Sequence, residues 1–302
     1  MSAAPVSTGI DPRRVLDALG FADASDPVAV SGGWETLLWR FSTPDGAEHA
    51  LRVYCLGGAE DAARRERVAM HACAAAGIAT PRIEAAGILD GQPAIVQTWC
   101  RGESLFDRIS RRPWSMPRLG REFGRLQARL HAVHAPAEFT AGAPRDWLSL
   151  VSPRHAHLAE RMLAARTASD TLVHLDYHPL NVIVDGAKTS IIDWAYAAAG
   201  DARADLALTA VALQIAPAPR SRLGPLMGIS RRLAMRAWLT GYRDVSGDVP
   251  DYRSFMAWAC AFRYRVTDAT LGRPGVWATQ RDQDALQRQI DRWSASIIDS
   301  DQ

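Results

Sequence analysis

A chain of 302 residues, 48% hydrophobic and 23% charged, has the composition of a globular protein. It is long enough to bury a sizeable core as one large domain or two lobes. A net charge of +2 gives no field of the kind that holds nucleic acid or an anionic membrane surface. Lys188 is the only lysine, and every other basic residue of fixed charge is arginine. Cys55, Cys73, Cys100 and Cys260 lie far apart with no C-x-x-C spacing, which suggests neither a zinc site nor a disulfide framework. The start, MSAAPVSTGIDPRR, lacks a basic segment followed by an apolar one. The most apolar run, Leu206 to Ala216, is too short for a membrane span. A cytoplasmic protein is predicted.

In chain order, Val28–Val30 and Leu37–Phe41 read as strands flanking SGGWET, and Thr43-Pro-Asp-Gly46 supplies a turn before the strand His49–Tyr54. Ala59 to Ala76 is rich in Ala, Arg and Glu and is followed by Gly77, which predicts a helix with a glycine stop. Arg82–Leu89, the turn Asp90-Gly91 and Pro93–Gln97 predict a hairpin. From Pro117 to His134, Leu119, Phe123, Leu126, Leu130 and Val133 recur at steps of 3 and 4, the pattern of an amphipathic helix. Ala156–Arg166 and most of the chain beyond Asp205 have helical composition, and only Leu172–His174 and residues 181–193 interrupt it with strand character. The expected fold class is α+β: a small antiparallel sheet carrying one helix over residues 1–100, then a mainly helical region over 101–302.

The chemistry concentrates in residues 173–195. Asn181-Val-Ile-Val184 and Thr189-Ser-Ile-Ile-Asp193 are β-branched runs around the turn Asp185-Gly186-Ala187-Lys188. The midpoint between Asn181 and Asp193 is Ala187, so in a hairpin the two would face each other across its open end. A carboxamide and a carboxylate side by side are hard oxygen ligands of the type magnesium prefers. Asp176, five residues before Asn181 on a loop that Pro179 helps to fix, can reach the same centre without ligating metal. Phosphoryl transfer needs this layout: a metal for the phosphate charge and a separate carboxylate to orient the attacking hydroxyl and take its proton. His174 and His178 read as loop residues.

This segment resembles the signature of the aminoglycoside-phosphotransferase and choline-kinase-like families, roughly H-G-D-x-H-x-x-N followed by a strand pair and I-D-[WF]. The continuation Gly200-Asp201-Ala-Arg-Ala-Asp205-Leu-Ala is similar to their G-D-P-x-x-D-L-A. Leu175 stands in place of the usual glycine, Leu180 in place of a small residue and Ala202 in place of proline. None of these removes a catalytic group. The resemblance implies a protein-kinase-like bilobal fold, with the catalytic hairpin in the second lobe and Asp205 as a structural anchor. It implies catalytic roles for Asp176, Asn181 and Asp193, magnesium on Asn181 and Asp193, and ATP as phosphate donor.

The same resemblance makes demands on the first hundred residues. Ser31, Gly32 and Gly33 fall where a phosphate-covering loop belongs, although S-G-G also serves an ordinary hairpin turn. Arg52 is the candidate for the cation that reaches the nucleotide phosphates, since no lysine is available there. Its implied partner is Glu66. Glu60 is the rival, and a surface ion pair of little consequence is the plainer alternative. Ile95 to Gly102 resembles the family's hinge, so the carbonyl of Thr98 and the N–H of Cys100 would meet the adenine edge.

The family acts on hydroxyls of small molecules, among them antibiotics, amino alcohols and sugars, and no nucleic-acid or membrane partner is implied. Arginines outnumber acidic residues between Leu206 and Gly272, which argues against a polycationic acceptor. Trp238, Tyr242, Tyr252, Phe255, Trp258, Phe262 and Tyr264 read as helical core before ligand box. Trp194-Ala195 after Asp193 and the absence of A-P-E separate the chain from protein kinases. The lack of G-x-x-x-x-G-K-[ST] excludes a P-loop kinase. The rival function is a kinase fold that binds nucleotide or metabolite without turnover, against which the intact set of catalytic groups weighs.

Overall fold

A computed structural model describes residues 9–30, 36–55, 57–140, 147–165, 170–215, 224–272 and 279–298. The chain forms two compact units. The first comprises residues up to Glu103 together with Ile183–Tyr196, and the second comprises Ser104–Val182 and the chain from Ala197 onward.

In the first unit, β1 (Val28–Ala29), β2 (Thr36–Ser42), β3 (Glu48–Tyr54), β4 (Ile83–Leu89) and β5 (Gln92–Thr98) form an antiparallel sheet in the order β1-β2-β3-β5-β4. The alternation of side chains along β3 sorts the two faces. Leu51 and Val53 join Phe41 and Val96 in a core with Val15 and Leu16 of α1 (Pro12–Ala18). On the other face, Tyr54 and Ile95 pack with Ala63 of α2 (Ala59–Ala75).

Helix α2 carries Glu60 and Asp61 in its first turn, where the helix dipole favours them, and Gly77 follows it at φ +72°. Helix α1 was not predicted from the sequence. Asp11 caps it by accepting the Arg13 N–H at 2.9 Å, with Pro12 opening its first turn. The β4–β5 turn has the double positive φ of a type I′ hairpin, 50° at Asp90 and 75° at Gly91, as the Asp-Gly pair predicts.

Ile183–Tyr196, late in the chain, also makes its contacts inside the first unit. Strand β8 (Val182–Asp185) lies between β6 (Glu103–Ser104) and β9 (Lys188–Ile191), and Lys188 is exposed where β9 begins. The Ile191 N–H donates to the Ala79 carbonyl at 2.9 Å, and Arg65 Nε to the Ala195 carbonyl at 2.8 Å.

The second unit is mainly helical: α3 (Leu105–Arg111), α4 (Met116–His131), α5 (Ala137–Thr140), α6 (Ala156–Ala165), α7 (Ala202–Ile215), α8 (Gly224–Ser246), α9 (Met256–Thr270) and α10 (Gln280–Ile298). A two-stranded ribbon joins β7 (Thr171–Val173) to β10 (Ala198–Gly200). Helix α4 buries Leu119, Phe123, Leu126 and Leu130, the stripe read from the sequence. Trp238, Tyr242, Phe255, Trp258 and Phe262 are buried and serve as core. Trp258 also donates its Nε1–H to the Leu148 carbonyl at 2.9 Å. Among the described residues no helix is long and apolar enough to cross a membrane.

Helices α4 and α8 approach on glycine. A Cβ at Gly124 would run into the Trp238 carbonyl, and one at Gly241 into the Arg121 carbonyl. Both obstacles are helical backbone, which cannot swing aside. Gly124→Ala and Gly241→Ala are each expected to destabilise the protein by about 1–3 kcal/mol despite the better helix propensity of alanine. A melting temperature unchanged or raised in either variant would refute the close crossing.

Candidate active site

In the first unit the site is built on β3. Arg52 lies between Leu38 of β2 and Ile95 of β5, and its side chain is only 9% exposed. Its Nη1 donates to Glu66 Oε1 at 2.8 Å and its Nη2 to Asp193 Oδ1 at 2.9 Å, with Thr36 Oγ1 at 3.4 Å. Glu66 is wholly buried on α2 and takes a second hydrogen bond from the Tyr54 hydroxyl at 2.5 Å. The pair is therefore buried, and Glu60 stays in its helix-start position. Burial pushes the Glu66 carboxyl up against the pull of Arg52. Burial also opposes the charge on Arg52, but Glu66 and Asp193 outweigh it and hold the guanidinium protonated. Arg52 Nε is buried without a hydrogen-bond partner among the described residues.

Asp193 has φ +67°, a conformation an L-residue adopts at a cost of about 1–2 kcal/mol. Its neighbours hold it there: Trp194 is buried and bonds the Ile191 carbonyl at 3.2 Å, and the Ala195 carbonyl is taken by Arg65. Oδ1 is on Arg52 and the side chain is 40% exposed, so the other oxygen of Asp193 could take a cation. Ser31, Gly32 and Gly33 lie outside the described residues. Thr98 ends β5; its hydroxyl accepts the Arg82 N–H and its own N–H goes to the Arg82 carbonyl, both at 2.9 Å. Burial pushes the Cys100 thiol up to about 11 against a hydrogen bond with Ser190, so it stays protonated near neutral pH.

In the second unit, the loop from His174 to Asn181 is tied at almost every residue. Leu175 has φ +59°, which explains why related signatures carry glycine there. Its N–H donates to Asp205 Oδ1 at 2.6 Å. A charge-assisted bond contributes about 1.5–3 kcal/mol, enough to offset the left-handed backbone. The Asp176 N–H meets His174 Nδ1 at 3.2 Å, and Tyr177 stacks on Phe123 while its hydroxyl bonds the Phe123 carbonyl at 2.8 Å. Asn181 Nδ2 donates to the carbonyl of Asp176 at 3.0 Å and to its Oδ2 at 3.1 Å. Those bonds use the carboxamide nitrogen of Asn181 and leave its oxygen as the atom that could take a cation.

Asp176 also receives Arg263 Nη2 on Oδ1 at 2.7 Å and lies 3.3 Å from His178 Nε2. Burial alone would raise its pKa, but His178 and Arg263 outweigh burial and hold the carboxyl well below the usual range. Among the described residues no cluster of three or more His, Cys, Asp or Glu could cage a metal. A magnesium ion needs no such cage, because it takes one or two protein oxygens and completes its shell with phosphate and water.

Behind the loop is a buried polar network. Asp205 Oδ2 lies 2.9 Å from His131 Nε2 and 3.1 Å from Gln127 Nε2, His131 Nδ1 meets the Tyr242 hydroxyl at 2.9 Å, and Trp238 donates to Gln127 Oε1 at 2.8 Å. Gln127 and His131 had a signal in the sequence, since they stand four apart and follow Phe123 on the row that α4 buries. Arg263 had none.

The pKa of Asp205 is lowered: burial opposes the charge, and the hydrogen bond and charge of His131 outweigh it. Its contribution to stability is therefore complete above the unfolded-chain value near ~3.9 and is lost as pH falls through the lower folded value. Asp176 acts with the same sign and Glu66 with the opposite one. Asp205→Asn is expected to cost about 3–5 kcal/mol at neutral pH and to flatten part of the acid limb in urea melts. An acid limb identical to the wild type would remove Asp205 from this role.

Residues 27–224 match the family model described as the phosphotransferase enzyme family. No curated protein is similar enough in sequence to match. Among solved structures, the amicoumacin kinase hAmiN superposes with a TM-score of 0.60 at 14% identity, covering 89% of this chain and 88% of that one. A choline/ethanolamine kinase family protein from Mesorhizobium loti gives 0.54 at 18% identity, with 94% and 92% covered. The macrolide 2'-phosphotransferase of Brachybacterium faecium gives 0.53 at 18%, with 92% and 96% covered. At these identities the likeness is one of fold, and the fold is the protein-kinase-like one expected. With a family match over most of its length, the chain belongs to the phosphotransferase enzyme family.

Proposed function

We propose that this protein transfers the γ-phosphate of ATP to a hydroxyl of a small molecule, with magnesium as cofactor, in the cytoplasm. The observation that carries the reading is the buried Arg52 held between Glu66 and Asp193. A guanidinium kept charged and oriented by two carboxylates is prepared to attract phosphate oxygens. The amicoumacin kinase structure holds AMP-PNP and Ca2+, which supports nucleotide and divalent cation use here. The four unpaired cysteines favour a reducing compartment.

In this mechanism the carboxamide oxygen of Asn181 and the second carboxylate oxygen of Asp193 would hold the cation. When bound there, magnesium would supply neutralisation of the phosphate charge. Arg52 steadies the phosphates, the residues Ser31, Gly32 and Gly33 cover them, and the backbone of Thr98 and Cys100 meets the adenine edge. Asp176 orients the acceptor hydroxyl and takes its proton as the acceptor oxygen bonds to the γ phosphorus and the bond to the β-phosphate oxygen breaks, releasing ADP. A carboxylate so strongly held in its ionised form is a weak base. Positioning is therefore its larger contribution, and proton uptake comes late, as a loose transition state allows. No phosphoenzyme forms.

The test is acceptor-dependent ADP release from Mg-ATP over a panel of antibiotics, amino alcohols and sugars. Release abolished by Asp193→Ala is the expected result. Asp176→Asn should keep nucleotide affinity and lose turnover by about 10²-fold or more. Silence with every acceptor while ATP still binds would favour a kinase fold that binds without turnover. Equal loss of binding and turnover in Asp176→Asn would refute its assigned role.

A further inference from the structure

Arg263 is an arginine with unused donors beside the proposed base. It projects from α9, a helix whose buried residues are otherwise mostly apolar, among them Trp258, Cys260 and Phe262. Its side chain is 20% exposed, and Asp176 is its only carboxylate partner among the described residues. Among the described residues the contact uses Nη2, at 2.7 Å, while Nε is buried with no hydrogen-bond partner. A buried unpaired donor costs about 1–3 kcal/mol. The guanidinium edge formed by Nε and Nη2 matches the two oxygens of a carboxylate or phosphate.

Asp176 presents the complementary problem. Its Oδ1 is occupied by Arg263, and its Oδ2 by Asn181 at 3.1 Å, with His178 at 3.3 Å. Each carboxylate oxygen carries two lone pairs, so Oδ1 keeps one for a hydroxyl beside Arg263 and gains the second when the guanidinium leaves. Arg263 is the fixed cation beside it, and an anion brought there would meet an unsatisfied donor.

We infer that Arg263 recognises an anionic group of the acceptor, so that the substrate is a small hydroxylated carboxylate or phosphate. The anion takes the Nε/Nη2 edge of Arg263 in exchange for Asp176, and Oδ1 of Asp176 is released to the hydroxyl. The inference rests on the phosphotransferase reading of this loop and deepens it by naming the acceptor class.

The experiment is calorimetric titration of the nucleotide-free protein with a matched series: glucuronate, glucose 6-phosphate, glucose and glucosamine. At least one anion is expected to bind about tenfold or more tightly than the neutral and ammonium members, and which anion does so separates carboxylate from phosphate recognition. Arg263→Gln should abolish the preference and Arg263→Lys should keep part of it. Asp176→Asn removes the competing carboxylate and should tighten anion binding by about tenfold, an effect a purely structural arginine would not produce. That variant decides the matter if Arg263→Gln does not fold. Equal affinities across the series, no binding of either anion, or an anion preference that survives in Arg263→Gln overturns the proposal. Anion binding without ADP release would count against phosphoryl transfer and leave Arg263 as the anion-recognition residue.

Discussion

Asp205 is a carboxylate shut away from water, and the second unit is organised around keeping it charged. Removing such a group from solvent costs several kcal/mol unless its lone pairs are filled. Here they are filled from α4 by Gln127 and His131 and from the loop by the N–H of Leu175. The last of these bonds does the geometric work, because it holds Leu175 in the left-handed region and so sets the direction in which the chain leaves toward Asp176. Thr209, on the same helix as Asp205, takes the Tyr177 carbonyl at 2.9 Å and fixes the next step. A reactive loop with little regular structure of its own thus borrows rigidity from three helices, since Tyr242 and Trp238 of α8 close the far side of the network.

The first unit solves a related problem with the opposite charge. Arg52 is also buried, and its carboxylate partners come from a helix and from the segment after β9, 14 and 141 residues away along the chain. Glu66 in turn leans on Tyr54, so the cation and its counter-charge are both oriented by groups that the packing of sheet against α2 immobilises. Positive φ at Asp193 and at Leu175 marks the points where each unit spends backbone comfort to aim a side chain.

What the sequence reveals here depends on how local the cause is. Helix α2, the Asp-Gly hairpin and the stripe of α4 follow from periodicity, caps and turn chemistry confined to neighbouring residues, and they were read to within a few positions. Helix α1 is too short for a periodic signal, and its stability comes from packing against the sheet. The pairing of Arg52 with Glu66 was reached through the resemblance to a known family, because no spacing rule links a strand to one of two glutamates on the next helix. Arg263 was missed altogether: it meets Asp176 across 87 residues, and nothing around it in the sequence separates it from the many other arginines of the region.

The arginine-for-lysine composition has a practical side. An acylating or imine-forming reagent aimed at the amine of a nucleotide-gripping lysine finds none in this sheet, because the sole lysine is the exposed Lys188 at the start of β9. Covalent surveys that count kinases by labelling such an amine would pass over this chain, however tightly it held nucleotide. Lys188 has a compensating use, since a single amine on an exposed hairpin gives one defined position for attaching a dye or a surface tether.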